Sequence, residues 1–396
     1  MKLRSPKLRW LSFWASILTI LSCYNSKQEQ EVLTIAINPL TAKTYSIEEI
    51  SDSLKYIQLE TNDHCYIGYI DQMIIENEKI FILDAIVTKR ILVFNTQGKH
   101  LFNINDDNND PLNRIINIAS MCIHDETLYV VDRNASKVFV YNMQGELIKI
   151  HHLPFIIQSL VVTDDFIVGR NTDPDHQEFP FNYIVFDSDF IPIDGFGKSN
   201  NPNTLSMIGR TDLMRNPDRK EILIHEGLND TLYTYTGSEF IPFVHSDYGE
   251  YRLSEDERLN SKVFEVIVRK NSRVFSPVYF TWSGNHISYR YWWNKGSDYQ
   301  DNRTQYVMIN VEDGHVFHVS GFTCSSLTDY VDYFPHYRLR STFYLAQPVY
   351  SFAKTNEYRS RFYGIYNNVN ELKMNVSIND NPVVIVFTIK QHLIEG

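Results

Sequence analysis

The chain has 396 residues, 43% of them hydrophobic and 21% charged, a globular composition with length enough for a large core. A formal net charge of −11 and a pI near 5.6 exclude a surface built to neutralise nucleic-acid phosphates. The 25 Tyr and 24 Phe, set against 16 Gly and 14 Pro, fit many aromatic strands joined by polar loops.

The N-terminus reads as a targeting segment. Lys2, Arg4, Lys7 and Arg9 precede an apolar run, Trp10 to Leu21, that is too short to span a bilayer. The run closes on Ile20-Leu21-Ser22-Cys23, which looks like a lipobox whose cysteine is acylated and becomes the first residue of the mature protein. The plain alternative is an ordinary signal peptide with an incidental cysteine. Two or three acyl chains at about 0.8 kcal/mol per buried methylene anchor a protein stably. The expected divisions are a lipoprotein signal peptide over 1–22, a flexible tether over 23–32 containing the polar, acidic run Asn25 to Glu31, and one domain over 33–396. Without Cys23 the cysteines are Cys65, Cys122 and Cys324, so at most one disulfide can form; each lies in or beside an apolar run, which favours buried free thiols.

Leu33 to Ile37 and Leu54 to Glu60 are the first strand candidates. Cys65 to Glu76 then leads into Lys79-Ile80-Phe81-Ile82-Leu83-Asp84 and Arg90 to Ile104, where Asn95-Thr96-Gln97-Gly98 supplies turn chemistry. About fifty residues on, the unit repeats: Ile115 to Ile123, Thr127 to Asp132, and Lys137 to Ile150, with Asp132 matching Asp84 and Gly145 matching Gly98. Weaker copies follow at Asp165 to Gly169 with Tyr183 to Ile193, at Glu221 to Val244, and at His286 to Tyr289 with Gln305 to Val319. Thr342 to Leu345, Leu372 to Val376 and Val383 to Ile389 supply strands of a sixth copy. A charged insertion over Asp247 to Arg273 includes Leu253 to Leu259 and Val263 to Val268, where a short helix is plausible.

Six sheet units without helical connectors imply radial repetition, because each sheet leaves an apolar face that only a neighbouring sheet can cover. The expected fold is all-β: a six-bladed β-propeller of four-stranded antiparallel blades, its ring closed when Leu33 to Ile37 or Leu54 to Glu60 pairs beside Val383 to Ile389.

The Leu54 to Glu60 strand, the unit running from Asp84 to Val93-Phe94-Asn95 and Gly98-Lys99, Asn229 to Tyr233 with Phe240 to Phe243, and the ending Asn379 to Ile385 carry a resemblance. Together they resemble the six-bladed β-propeller lipoproteins of Gram-negative bacteria, a family distantly similar to NHL-repeat propellers. The resemblance covers nearly all of the chain after the tether and implies fold and location more than activity. One departure is the acidic stretch Asp106 to Asn113, which stands where that family commonly has a Gly-rich loop.

Candidate chemistry is sparse. Asp84 and Asp132 end strands where an aspartate hydrogen-bonds turn amides. Asp106, Asp107 and Asp110 in one loop, and Asp173, Asp175 and His176 in another, are hard ligands suited to Ca²⁺ or another divalent cation, although neither run has the spacing of an EF-hand and each reads equally as a solvated loop. Tyr289-Arg290-Tyr291-Trp292-Trp293 is the most unusual stretch. Alternation puts Tyr289, Tyr291 and Trp293 on one face and Arg290 and Trp292 on the other, giving either inter-blade packing or a stacking platform for a sugar or peptide. The sequence has no Gly-x-Ser-x-Gly elbow, no phosphate-binding Walker loop, no dinucleotide fingerprint and no zinc-protease spacing.

The expected function is a cell-envelope lipoprotein, anchored by lipid in the outer membrane and facing periplasm or exterior. It acts as a binding or scaffold module for a glycan, a peptide or an envelope protein, with no cofactor and no nucleic-acid partner. The alternative is a metal-dependent propeller enzyme of the lactonase or lyase kind, with its site at the central channel mouth. The channel lining separates the two: converging carboxylates or histidines indicate chemistry, whereas Tyr, Trp and Arg indicate recognition.

Overall fold

In a computed structural model the chain begins its ordered course at the rim of the fold. The structure describes residues 32–105, 114–172, 178–197, 213–218, 221–237, 239–259, 273–294, 302–324, 335–347, 364–367, 372, 376–377 and 379–395. Three strands come first, β1 (Leu33–Ala36), β2 (Lys43–Ser46) and β3 (Ser51–Gln58), with a one-turn helix α1 (Ile47–Ile50) before the third. Blade one is β4 (Gln72–Glu76), β5 (Lys79–Asp84), β6 (Arg90–Asn95) and β7 (His100–Ile104). Blade two is β8 (Ile118–His124), β9 (Thr127–Asp132), β10 (Lys137–Asn142) and β11 (Leu147–His152). Blade three is β12 (Ile157–Val162), β13 (Ile167–Asn171), β14 (Tyr183–Phe186) and β15 (Pro192–Phe196).

Blade four is β16 (Leu213–Arg215), β17 (Ile222–His225), β18 (Thr231–Tyr235) and β19 (Phe240–Asp247), followed by the short helix α2 (Glu255–Leu259). Blade five is β20 (Arg273–Ser283), β21 (His286–Asn294), β22 (Asn302–Asn310) and β23 (Val316–Thr323). Blade six combines β24 (Tyr337–Leu339), β25 (Thr342–Gln347), β26 (Gly364–Tyr366) and β27 (Val383–Ile389) with β3. The protein is a six-bladed β-propeller of antiparallel four-stranded sheets. Among the described residues no helix is long and apolar enough to cross a membrane.

One apolar cluster fills each seam between neighbouring blades, and this is why the strands alternate as they do. Ile80 and Ile82 of β5 face blade six while Phe81 and Leu83 face blade two. Both faces of an inner strand are therefore buried, and the run Lys79–Asp84 reads as continuously hydrophobic rather than half-polar.

Ring closure follows the second of the two expected pairings. β3 lies antiparallel beside β27, with Tyr56 opposite Ile385 and Ile57 opposite Val384. Leu33 to Ile37 does something else: β1 adds in parallel to β19 on the rim of blade four, and β2 adds in parallel to β23 on the rim of blade five. The N-terminal segment is thus a belt that covers two outer edges before completing blade six, which removes open ladder positions on those edges. Gln305 fastens it, donating from Nε2 to the Pro39 carbonyl at 2.9 Å. The expected strand at Leu372 to Val376 is corrected: the Val376 amide donates to the Leu372 carbonyl at 3.1 Å, the spacing of a helical turn, and β3 and β27 take the remaining places in blade six.

Turn chemistry sets the repeat. Asn77-Glu78 and Asp125-Glu126 make the two-residue hairpins of blades one and two with φ between 45° and 59°, the mirror-image turn that matches strand twist. At Gly98, φ is +88°, and a Cβ would stand 2.1 Å from the Gln58 carbonyl oxygen, so this turn demands glycine for both conformation and the approach of β3.

Candidate functional site

The innermost strands β4, β8, β12, β16, β20 and β24 enclose a central cavity of about 350 Å³. Every blade contributes to its wall. Aliphatic residues come chiefly from blades two and three, such as Ile123, Leu160 and Val162, and aromatic ones from blades five and six, Tyr279, Trp282 and Tyr337. Charged groups gather where the inner hairpins turn: Glu76, Asp125, His124, Arg215 and Arg338.

Each of these charges has a definable state. Arg215 of blade four donates to Nδ1 of His124 in blade two, and His124 Nε2 donates to Asp164 Oδ1 of blade three at 3.1 Å. Burial, followed by the Arg215 charge, holds this imidazole below its usual pKa, so it is neutral and bridges a guanidinium and a carboxylate with one nitrogen each. Arg338 is only 2% exposed. Its Nε donates to Ser288 Oγ at 3.1 Å and its Nη1 to the Arg340 carbonyl at 2.6 Å, so the buried charge is held by neutral oxygens.

A second group lies at the seam of blades five and six. The Arg290 guanidinium sits 4.6 Å from the Tyr279 ring centroid, and Nη2 donates to the Pro335 carbonyl at 2.6 Å. Burial lowers the Arg290 pKa to about 10, which leaves it charged at neutral pH. His336, on the neighbouring blade, accepts the Ala346 amide at Nδ1 (3.3 Å). Burial and then Arg290 push its pKa down to about 3, so it is a neutral ring whose other nitrogen carries the proton.

The five residues expected as a ligand platform separate into two environments. Tyr289, Tyr291 and Trp293 are buried between blades four and five. There the Tyr289 hydroxyl bonds Ser246 Oγ at 2.6 Å, and the Tyr291 hydroxyl meets Gln305 Oε1 and His318 Nε2. Arg290 points the other way, to Tyr279 beside the cavity, and Trp292 stays 36% exposed next to Phe275. Tyr279, which sequence reasoning missed, is therefore the aromatic that Arg290 serves. A signal existed: Pro277 inside the strand-like run Val274 to Trp282 marks an edge strand or a bulge, and an innermost strand is an edge facing the channel. Cys23, Asp106, Asp107, Asp110, Asp173, Asp175 and His176 lie outside the described residues. Among the described residues no three His, Cys, Asp or Glu side chains come together as a metal site, and Cys65, Cys122 and Cys324 are free thiols.

Asp84 and Asp132 are structural anchors above this channel. Asp84 Oδ2 accepts the amides of Gly68 and Tyr69 at 2.8 and 3.1 Å, and Oδ1 accepts that of Val87 at 2.9 Å. Asp132 accepts four amides, from Ile116, Asn117, Asn134 and Ala135. Each carboxylate ties the chain entering its blade to the loop leaving the second strand.

Solved structures share this architecture. A protein of Bacteroides fragilis NCTC 9343 described as exported aligns over 90% of this chain and 100% of its own, with a TM-score of 0.69 and 15% identity. A member of the DUF4221 family from Bacteroides vulgatus ATCC 8482 aligns over 86% of this chain and 97% of its own, with a TM-score of 0.51 and 12% identity. At these identities the likeness concerns the fold. No curated protein matches the sequence. The model of a domain of unknown function, DUF4934, matches residues 32–388, which takes in all six blades, and the chain belongs to that family.

Proposed function

We propose that this protein is an envelope lipoprotein, held by lipid on Cys23, whose propeller binds a glycan, a peptide or a partner protein at its central cavity. The cavity carries the reading: six blades converge on it, its volume of about 350 Å³ is ligand-sized, and Tyr279, Trp282, Arg215 and Arg338 line it. Tyr, Trp and Arg offer large contact area and directed donors, the features recognition uses. The apolar N-terminal run that ends at Cys23, and the exported relative of the same fold, support placement in the envelope.

Cys23→Ser is expected to move the chain from the membrane to the soluble fraction. That soluble form is then melted with and without a low-mass extract of the envelope. A ligand at about 100 times its Kd adds about 2.7 kcal/mol, a clear rise in melting temperature. The rise is expected to vanish in Met214→Trp, which fills the cavity. Membrane retention of Cys23→Ser contradicts the anchor; no rise, or an equal rise in both proteins, contradicts the binding role.

A further inference from the structure

We propose that the cavity is a saccharide site, that Tyr279 is its stacking platform, and that its ligand is a neutral pyranose of one or two rings. This rests on the binding role above and narrows it to a ligand class.

The first observation is backbone conformation. β20 loses register with β21 twice, between Phe275 and Val278 and again between Val278 and Thr281. Tyr279 lies at the second break with φ 55°, a left-handed conformation that a bulky residue adopts at a cost of about 1–3 kcal/mol. Bulges re-aim side chains, and the result here is specific. Phe280 and Trp282 are buried against blade four, whereas Tyr279 remains 38% exposed in the cavity wall.

The second observation is how the ring is held. Arg290 stacks over it, and the Pro335 carbonyl in turn holds Arg290. One ring face is fixed by the guanidinium and the other is left to the cavity. Preorganisation of this kind lowers the ordering cost of binding.

The third is the chemistry around the ring. His336 presents a neutral N–H, and Asp71 lines the same wall with Oδ2 accepting the Ala85 amide at 2.7 Å. The lining arginines are already engaged, Arg215 with His124 and Arg338 with Ser288 and backbone carbonyls, and Asp71, Glu76 and Asp125 oppose them in sign. No net positive field remains to select an anion. An aromatic face bordered by neutral and carboxylate hydrogen-bonding groups matches a pyranose, which has C–H groups on its face and hydroxyls at its edge. A volume of about 350 Å³ sits at the small end of ligand cavities, about 300–1,000 Å³, which limits the ligand to one or two rings.

The test titrates the soluble Cys23→Ser protein with methyl glycosides of glucose, galactose, mannose and N-acetylglucosamine, with matching disaccharides, and with trialanine, reading heat by calorimetry. Saturable binding of at least one glycoside is expected. Tyr279→Phe keeps it within about threefold, and Tyr279→Gly weakens it at least about tenfold, the scale of a lost stacking contact. Tyr279→Gly suits φ 55° without strain, so it is expected to melt no lower than its parent while losing ligand, a combination that a merely structural tyrosine does not give. Glycoside binding indifferent to Tyr279→Gly overturns the platform. Trialanine binding without glycoside binding overturns the saccharide class and leaves the binding role standing; no binding by any probe overturns the proposal.

Discussion

Removing residues 1–59 is expected to abolish cooperative unfolding, whereas removing residues 1–46 is expected to preserve it at reduced stability. The difference lies in what β3 alone contributes. Tyr56, Ile57 and Leu59 are buried in the seams on either side of blade six, and burying each is worth about 1.5–3 kcal/mol. Their loss approaches the whole stability of a domain, about 5–15 kcal/mol. It also leaves β27 with an open backbone edge along seven paired positions, Val383 to Ile389. The shorter deletion removes β1 and β2. It gives up Ile35 and Ile37 in the seam of blades four and five, about 4 kcal/mol together, but leaves all six blades complete. Urea denaturation followed by far-UV circular dichroism reads both truncations. A cooperative transition in the chain lacking 1–59 contradicts the role of β3 in closing the ring.

Asp132→Ala carries the largest expected cost of any single substitution. The carboxylate is fully buried and accepts four amides at 2.7–3.2 Å, two from the segment entering blade two and two from the loop after β9. Alanine leaves these donors without their acceptor, and hydrogen bonds to a charged group contribute about 1.5–3 kcal/mol each, less than additively, so a loss of about 3–5 kcal/mol is expected. Asp132→Asn keeps one acceptor oxygen and is expected to lose about half as much. Urea midpoints at unchanged slope check both. A loss for Asp132→Ala within about 0.5 kcal/mol of zero, the range of ordinary surface changes, would show that the loops hold themselves.

The repeat itself was legible because blades one and two keep Asp84 with Asp132 and Gly98 with Gly145 at matching places. Each pair does something that few residues can: the aspartates collect amides, and the glycines turn at φ 88° and 85° against a neighbouring blade. Closure was legible for a similar reason, since Leu54–Glu60 and Val383–Ile389 are both strongly β-forming.

The inner strands of blades three, four and five were not assigned from sequence, and with them went the site. β16 is three residues long, β20 is bulged twice, and β12 lies in a uniformly apolar stretch with no alternation to read. Inner strands meet the channel along one edge and neighbouring blades on two faces, so neither polarity nor period marks them. The ligand expectation consequently settled on Tyr289 to Trp293, the densest aromatic run, where aromatic content reflects a seam. Only Arg290 of that run reaches the cavity side, and its partner Tyr279 is eleven residues earlier on a different strand. The parallel belt was illegible for another reason: β1 and β2 pair with strands more than two hundred residues away, and nothing local in Leu33–Ala36 or Lys43–Ser46 chooses between a rim and a blade.

Whether the two ends of the chain share one blade is tested most directly by a cross-link. Ser53 and Thr388 are register partners on β3 and β27, and Ser53 Oγ donates to Thr388 Oγ1 at 3.1 Å, which places both Cβ atoms within disulfide reach. In a Cys23→Ser background, Ser53→Cys with Thr388→Cys is expected to oxidise within one molecule. The product is a monomer whose faster migration on a denaturing gel is reversed by reductant. A pair that stays reduced, or that links only between molecules, would contradict a ring closed by β3 and β27.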